Sequence, residues 1–540
     1  MRITLALVSI ALFTSTAYAV PGPDSVAVLA NSSVPGSMAM AMHYASARDV
    51  PDAQVCMLPM PTGDTITLDE YQSMILTPLR TCLGTNEARI EAIVVMRGVP
   101  LRVTAPDGHH LSITAALGAW RSTLTDETTP LLGTPPGATV MCGTSPCYAA
   151  RVTAPYSTLG NMPFTAGFEQ TSGGIHHRPV LATMLEGRTD AMADGLIDVA
   201  IAAEMPGQPA GEFILMNGAD SARGYLDSTY PSVVTDLMTR HATASVVPFD
   251  TNHTGHVLAG FAVGTASLAM TIEGNTYVRG ALVDNLTSYG AVPGNFAATG
   301  ESQVSIARWV AAGVGGVHGT VDEPLNNSFP ARRYLVTYVD GATLAESFLG
   351  AMPYAYWLNL VLGDPMLAPY AQRPTVTITG ASEGASLASA TMLHVVATPP
   401  TGRAIAHLVL LADGEPVAMA DGATLDHCLA IDGSSGVQLL AVATTAAGAT
   451  GTTSPWPAKG WRAIHVSETA TATTCAAPVD AAILPDAGVR PADGSTTGDA
   501  ASTPTPPPSS SCGCRAAGAG SPSLAWIVLA ALLAGRRRRP

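Results

Sequence analysis

Residues 25–30 read SVAVLA, residues 54–60 read QVCMLPM and residues 90–96 read IEAIVVM. Each is a short apolar run bounded by turn residues, the pattern of a buried strand. Between the first two, residues 37–47 are rich in Ala and Met and predict a helix ending near Arg48 and Asp49. Between the second and third, residues 67–83 predict another helix. Asp69 and Glu70 stand in its first turn, where acids are favoured. Tyr71, Ile75, Leu79 and Leu83 then recur every four residues along one face. Strand, helix, strand, helix, strand in this order predicts a parallel sheet covered by helices.

The rhythm resumes further on. The sequence predicts helices over 191–204, 233–241, 304–312 and 343–352, strands over 212–216 and 244–248, a helical piece over 277–289 and a Gly-rich strand over 313–320. Residues 105–180, rich in Thr, Gly and Pro, read as loops and short strands. Gly363-Asp364-Pro365 reads as a turn. From Arg373 the pattern changes. Residues 375–378, 392–397, 407–411, 416–419 and 438–444 are short alternating runs, which predict an immunoglobulin-like β-sandwich. The expected order is therefore an α/β region over 20–372, with subdomains at about 20–180 and 181–372, followed by an all-β sandwich over 373–475. Residues 476–511 are Pro-, Ala-, Thr- and Ser-rich, cannot bury a core, and read as a disordered spacer.

The chain has 540 residues, a formal net charge of −15 and only 12% charged residues. Lys459 is its single lysine, and four arginines are spent on the terminal block Arg536, Arg537, Arg538 and Arg539. A nucleic-acid partner needs a basic face, so that function class is excluded. The eight cysteines suit disulfides in an exported chain. Proximity pairs Cys56 with Cys82, Cys142 with Cys147 and Cys428 with Cys475.

Both ends carry the marks of export. Arg2, an apolar run over residues 3–13 and Ala17-Tyr18-Ala19 form a signal-peptide pattern, with cleavage expected after Ala19. At the other end Cys512-Gly513-Cys514 precedes an uncharged stretch over 516–535, long enough for a helix to span a bilayer. The arginines that follow belong on the cytoplasmic side. This tail, residues 512–540, resembles the MYXO-CTERM sorting signals of myxobacteria. The resemblance implies processing near Cys512 or Cys514 by a sorting protease, contact with the export machinery, and retention at the cell envelope.

Further motifs carry a second resemblance: Met184-Leu185-Glu186-Gly187-Arg188, ALVDNLTSYG over 281–290, AAGVGGVHGTVDEP over 311–324 and YVDGATLAESFLGAMPYAYWLNLVLGDPMLAP over 338–369. Together they resemble an uncharacterised family of exported bacterial proteins. The order of elements is similar, more distantly, to gingipain-like cysteine peptidases, and implies a caspase-like αβα sandwich. Such a peptidase needs a thiolate and a histidine within hydrogen-bond reach. The resemblance would put the histidine near Val263-Gly264-Thr265 and the cysteine near Leu286-Thr287-Ser288. Neither residue type stands there, and no cysteine occurs between Cys147 and Cys428.

A substitute nucleophile is Ser288, with His253 or His256 as base and Asp284 as orienter; a plain strand-to-loop turn is the competing reading. His109-His110, His176-His177 and the His253/His256 pair lack the spacing of a zinc motif, so no metal and no cofactor is expected. Asp322-Glu323 lies after a strand and could take a cation or a basic substrate. The sequence thus predicts an exported, envelope-anchored, non-catalytic protein. An exported hydrolase with a non-cysteine nucleophile, or a surface adhesion or matrix-binding protein, is the alternative.

Overall fold

The computed structural model describes residues 20–105, 108–124, 131–132, 141–142, 145–146, 170–172, 175–207, 210–297, 301–354, 356–387, 390–430, 436–448, 455–468 and 475. The leader, the spacer, the C-terminal tail, Cys147, and the side chain of Cys142 lie outside the described residues. The described residues all fall in one compact unit, Met1–Ala477. Among them no helix is long and apolar enough to cross a membrane.

The opening stretch folds as strand β1 (Val26–Asn31), helix α1 (Pro35–Arg48), strand β2 (Val55–Leu58), helix α2 (Thr77–Leu83) and strand β3 (Ala92–Met96). Pro35 at the first position favours entry into α1. Residues 68–76 lead into α2, and Thr67 and Glu70 cap their start with a reciprocal capping box. Strand β4 is Leu181–Leu185, and helix α3 is Asp190–Ala203. Strands β5 (Glu212–Met216), β6 (Thr243–Val247), β7 (Val257–Val263), β8 (Thr276–Asn285), β9 (Gly316–Thr320) and β10 (Asn359–Gly363) follow. Helices α4 (Tyr230–Met238), α5 (Ile306–Ala311), α6 (Tyr334–Val339) and α7 (Leu344–Gly350) intervene. The helical piece expected over 277–289 is instead strand β8. Its polar residues Asp284 and Asn285 broke the apolar run and mimicked a helical face, but both are buried and bonded inside the sheet.

All ten strands form one sheet in the order β6-β5-β7-β8-β9-β10-β4-β3-β1-β2. Every neighbouring pair is parallel except β9 with β10. Helices on both faces bury β1, β3, β4, β9 and β10 completely, which explains the apolar runs of β1 and β3; β9 carries His318 and Thr320 into the same interior. The order contains the same winding twice. In β2-β1-β3-β4 and again in β6-β5-β7-β8 the second strand lies outside the first, and the third and fourth lie on the other side. The single antiparallel junction sets the two halves in opposite directions, so their carboxyl edges lie at opposite margins of the sheet.

The second part of the unit is all β. Strands β11 (Thr375–Thr379), β13 (Thr391–Thr398) and β16 (Thr424–Leu429) form a three-stranded sheet. Strands β12 (Ala385–Leu387), β14 (Ile405–Ala412), β15 (Glu415–Asp421), β17 (Val437–Thr445) and β18 (Lys459–Glu468) form a five-stranded sheet in the order β12-β18-β17-β14-β15. Their inner faces share a core that includes Leu393, Val395, Leu408, Leu410, Leu439 and Ile464. Leu411, Leu440 and Val442 alternate with those core residues and are buried on the opposite face, with Trp461 against them. That face meets the α/β part, where the Trp461 indole N–H donates to Asp49 at 3.1 Å and Thr85 donates to Glu415 at 2.9 Å. Cys56–Cys82 and Cys428–Cys475 are disulfides, the latter fastening Cys475 back onto β16.

Glu346 supplies a sharp test of the packing. It closes the capping box of α7 with Thr343 and is almost wholly buried. Burial pushes its carboxyl up to about 7, although the bonds from Thr343 pull the other way. The folded carboxyl therefore holds its proton more tightly than an unfolded one, which titrates near about 4.3. Its contribution is intact below that range and is lost as pH rises through about 7. Glu346→Gln keeps the box. It should leave stability unchanged in acid and raise it by up to about 3 kcal/mol in alkali, read from denaturant midpoints across pH.

Candidate functional site

In an open α/β sheet, ligands approach the carboxyl ends of the strands, where the winding changes direction. In the second half that place lies at the ends of β5, β7 and β8. The chain after β5 folds over it. Ala219 N–H donates to the Gly264 carbonyl at 2.8 Å, and a Cβ on Gly264 would lie 2.0 Å from the Arg223 carbonyl oxygen. Only glycine fits beneath that loop.

The two stretches that the peptidase resemblance singles out are joined where Leu286 N–H donates to the Val263 carbonyl at 2.8 Å, and Asn285, just before the second stretch, adds two bonds. The Asn285 amide accepts from Thr265 N–H at 2.9 Å and donates to the Thr265 carbonyl at 3.0 Å. Both residues are buried. Next along the edge, Gln303 accepts from the Thr287 hydroxyl and, at 3.0 Å, from Ser288 N–H. The Ser288 hydroxyl donates to Glu323 at 2.8 Å. Adjacent Asp322 faces His110 Nδ1 at 2.7 Å. Burial and the charge of Arg102 hold His110 below its ordinary value, against the pull of Asp322.

The structure does not bring the Ser288, His253, His256 and Asp284 constellation together, and this corrects the expectation. His253 and His256 precede β7 at one margin of the sheet. Ser288 follows β8 at the other margin, beyond the paired ends Val263 and Asn285. Six strand steps of about 3.3 Å separate the margins by about 20 Å. His256 instead faces Glu212 at 2.7 Å, and its ring stacks on His253 at 4.2 Å. Asp284 points into the core. Among the described residues, no group of three or more His, Cys, Asp or Glu is arranged to hold a metal ion.

Sequence reading missed buried charge clusters, and two of them lie within the α/β part. In one, Asp284 on β8 faces His318 Nδ1 on β9 at 2.6 Å and accepts from Arg332. His318 Nε2 faces the Asn359 side-chain oxygen on β10 at 3.0 Å. Burial works against the Asp284 carboxylate, but Arg332 and His318 outweigh it and hold it below its ordinary value. In the other, Arg48 donates to Asp364 at 2.6 Å and to Glu204 at 2.8 Å. Tyr44 also donates to Asp364, at 2.8 Å, and Arg373 donates to Glu204 at 3.0 Å. The only available signal was a polar residue inside an apolar run, as with His318 in GVHGT.

No family model matches the chain, and no curated protein matches it. Among solved structures it is similar to the fibronectin(III)-like modules of Clostridium thermocellum CbhA, at 10% identity. That match covers 21% of this chain and 52% of the other, with a TM-score of 0.15, so the chain spans about half the length of that protein and the likeness carries no argument.

Proposed function

We propose that this chain is an exported protein held at the cell envelope, with a non-catalytic caspase-like α/β body and an immunoglobulin-like sandwich fused to it. The observation that carries the non-catalytic reading is the pair of bonds between Asn285 and Thr265. They tie together the strand ends where a caspase-like peptidase would place its base and nucleophile, beneath a loop that leaves no room above Gly264. Strand order supports the caspase-like reading, because β6-β5-β7-β8-β9-β10 winds continuously and ends in one antiparallel strand. Export and anchoring rest on the two terminal signals, and the disulfides agree with an oxidising compartment.

Cell fractionation with mass-spectrometric mapping of the mature termini tests this reading. The expected product starts at Val20, has lost Arg536–Arg539 and sediments with the envelope. A soluble cytoplasmic chain that keeps Met1 refutes it. A hydrolase is the second reading, favoured by the Ser288–Glu323 bond beside the His110–Asp322 pair. A serine-directed fluorophosphonate should leave Ser288 unlabelled, and stoichiometric labelling there would establish the hydrolase instead.

A further inference from the structure

Lys459 is the chain's single lysine, and it is buried. Its Nζ stands 3.1 and 3.0 Å from the two side-chain oxygens of Asp24, so it faces the carboxyl carbon between them. The Ser25 hydroxyl accepts from the same nitrogen at 3.0 Å, and a Glu91 oxygen lies 3.7 Å from it. Segments remote in the chain hold this arrangement. Asp24 and Ser25 lead into β1, Glu91 leads into β3, and Lys459 opens β18. Arg373 donates to the Lys459 carbonyl at 2.8 Å, which fixes the start of that strand. Gly22 packs against the pair: a Cβ there would lie 2.6 Å from Lys459 Cδ and 2.8 Å from Asp24 Oδ1.

An amine and a carboxyl held in contact away from water are the two reactants of an amide bond. Burial lowers the Lys459 ammonium, but Asp24 and Glu91 outweigh it and hold its proton in place. The same carboxylates are the bases that can take that proton as the nitrogen attacks. Burial pushes the Glu91 carboxyl up to about 7, against the pull of Lys459. A carboxyl of that value can both accept and give a proton near neutral pH. Further charges act on the group: Arg89 interacts with Asp24, and Glu346 with Glu91 and Lys459.

We propose that Lys459 and Asp24 condense to an intramolecular isopeptide bond, with Glu91 carrying the protons. The ion pair is the unreacted state. Lys459 Nζ bonds to Asp24 Cγ, and one Cγ–O bond breaks. Of the three ammonium protons one stays on the amide nitrogen. The other two pass to the departing oxygen, which leaves as water. Nothing is oxidised or reduced, and no co-reactant is needed. The new bond fastens the sandwich covalently to the α/β part and closes the chain between residues 24 and 459 into a ring, which restricts the unfolded state as a disulfide does.

Intact mass spectrometry of the purified full chain, with disulfides reduced, tests this. The mass should fall one water below the sum of the residues between the observed termini. Trypsin should release a branched peptide that joins the Asp24 and Lys459 segments. An amine reagent applied in denaturant should label the amino terminus alone, because the one ε-amine is consumed. Lys459→Arg keeps the charge without the nucleophile, and its chain should retain full mass. Glu91→Gln keeps the pair but removes the proton carrier, so most of its chains should retain full mass too. An unreduced mass with Lys459 labelled in denaturant, or a water loss that persists in Lys459→Arg, overturns the proposal. A complete water loss in Glu91→Gln overturns the part given to Glu91.

Discussion

Asp364→Ala should destabilise the folded chain by about 3–5 kcal/mol, read as a lower denaturant midpoint with an unchanged slope. Asp364 is completely buried and accepts from Arg48 and Tyr44. It also accepts from Met366 N–H at 2.9 Å, in the turn that leaves β10. Without the carboxylate, the guanidinium of Arg48 remains in the interior with only Glu204 to offset it. A one-sided buried ion pair is far more costly than none. Glu204 gives the same cluster a pH signature. Burial would raise its carboxyl, but Arg373 and Arg48 hold it at about 2. The folded value lies below the unfolded one, so this contribution is present above about 4 and is lost as pH falls towards about 2. Acid should loosen the cluster that joins α1, α3, the end of β10 and Arg373.

Lys459→Met should cost about 3–4 kcal/mol and split one melting transition into two. The Lys459 ammonium lies at the start of β18 and donates to Asp24 and to Ser25, each at 3.0 Å. Glu91 is 3.7 Å away, and burial pushes its carboxyl up to about 7 despite this cation. Methionine retains the packing of the stem but removes the ammonium bonded to Asp24, which keeps only the more distant charge of Arg89. The sandwich should then melt separately from the α/β part, because the ion cluster couples their unfolding. Scanning calorimetry reads the number of transitions. A single transition at the wild-type midpoint would show that the apolar contacts of Leu411, Leu440 and Val442 suffice. Adding Asp24→Asn should recover part of the loss.

Much of the architecture was legible from residue patterns. β1, β3 and β5 are apolar because helices cover both faces of a parallel sheet, and the runs at 25–30, 90–96 and 212–216 mark them directly. The sandwich strands alternate because each has an inner and an outer side. β8 was misread because one buried carboxylate, Asp284, looks like a solvent-facing residue until its partners are known. Those partners lie 34 and 48 residues further along the chain. Ser288 and the histidines were grouped because they lie near one another in sequence, yet a strand's length separates them across the sheet. Gly363-Asp364-Pro365 does form a turn, but its aspartate is the centre of an ion cluster reaching back to Arg48.

The sequence alone marked most of the helices and six of the ten strands of the large sheet, the place where α/β gives way to all-β, and the pairing of Cys56 with Cys82 and of Cys428 with Cys475. Periodicity and short spacing are local properties, so residues near one another in the chain suffice to express them. Only the tertiary structure decided that the two halves run in opposite directions, that Asn285 ties the strand ends at Thr265, and that the single lysine is buried at the joint. Each of those depends on side chains from distant segments meeting in a low-dielectric interior, where an unpaired charge or donor is costly and its partner can come from anywhere in the chain.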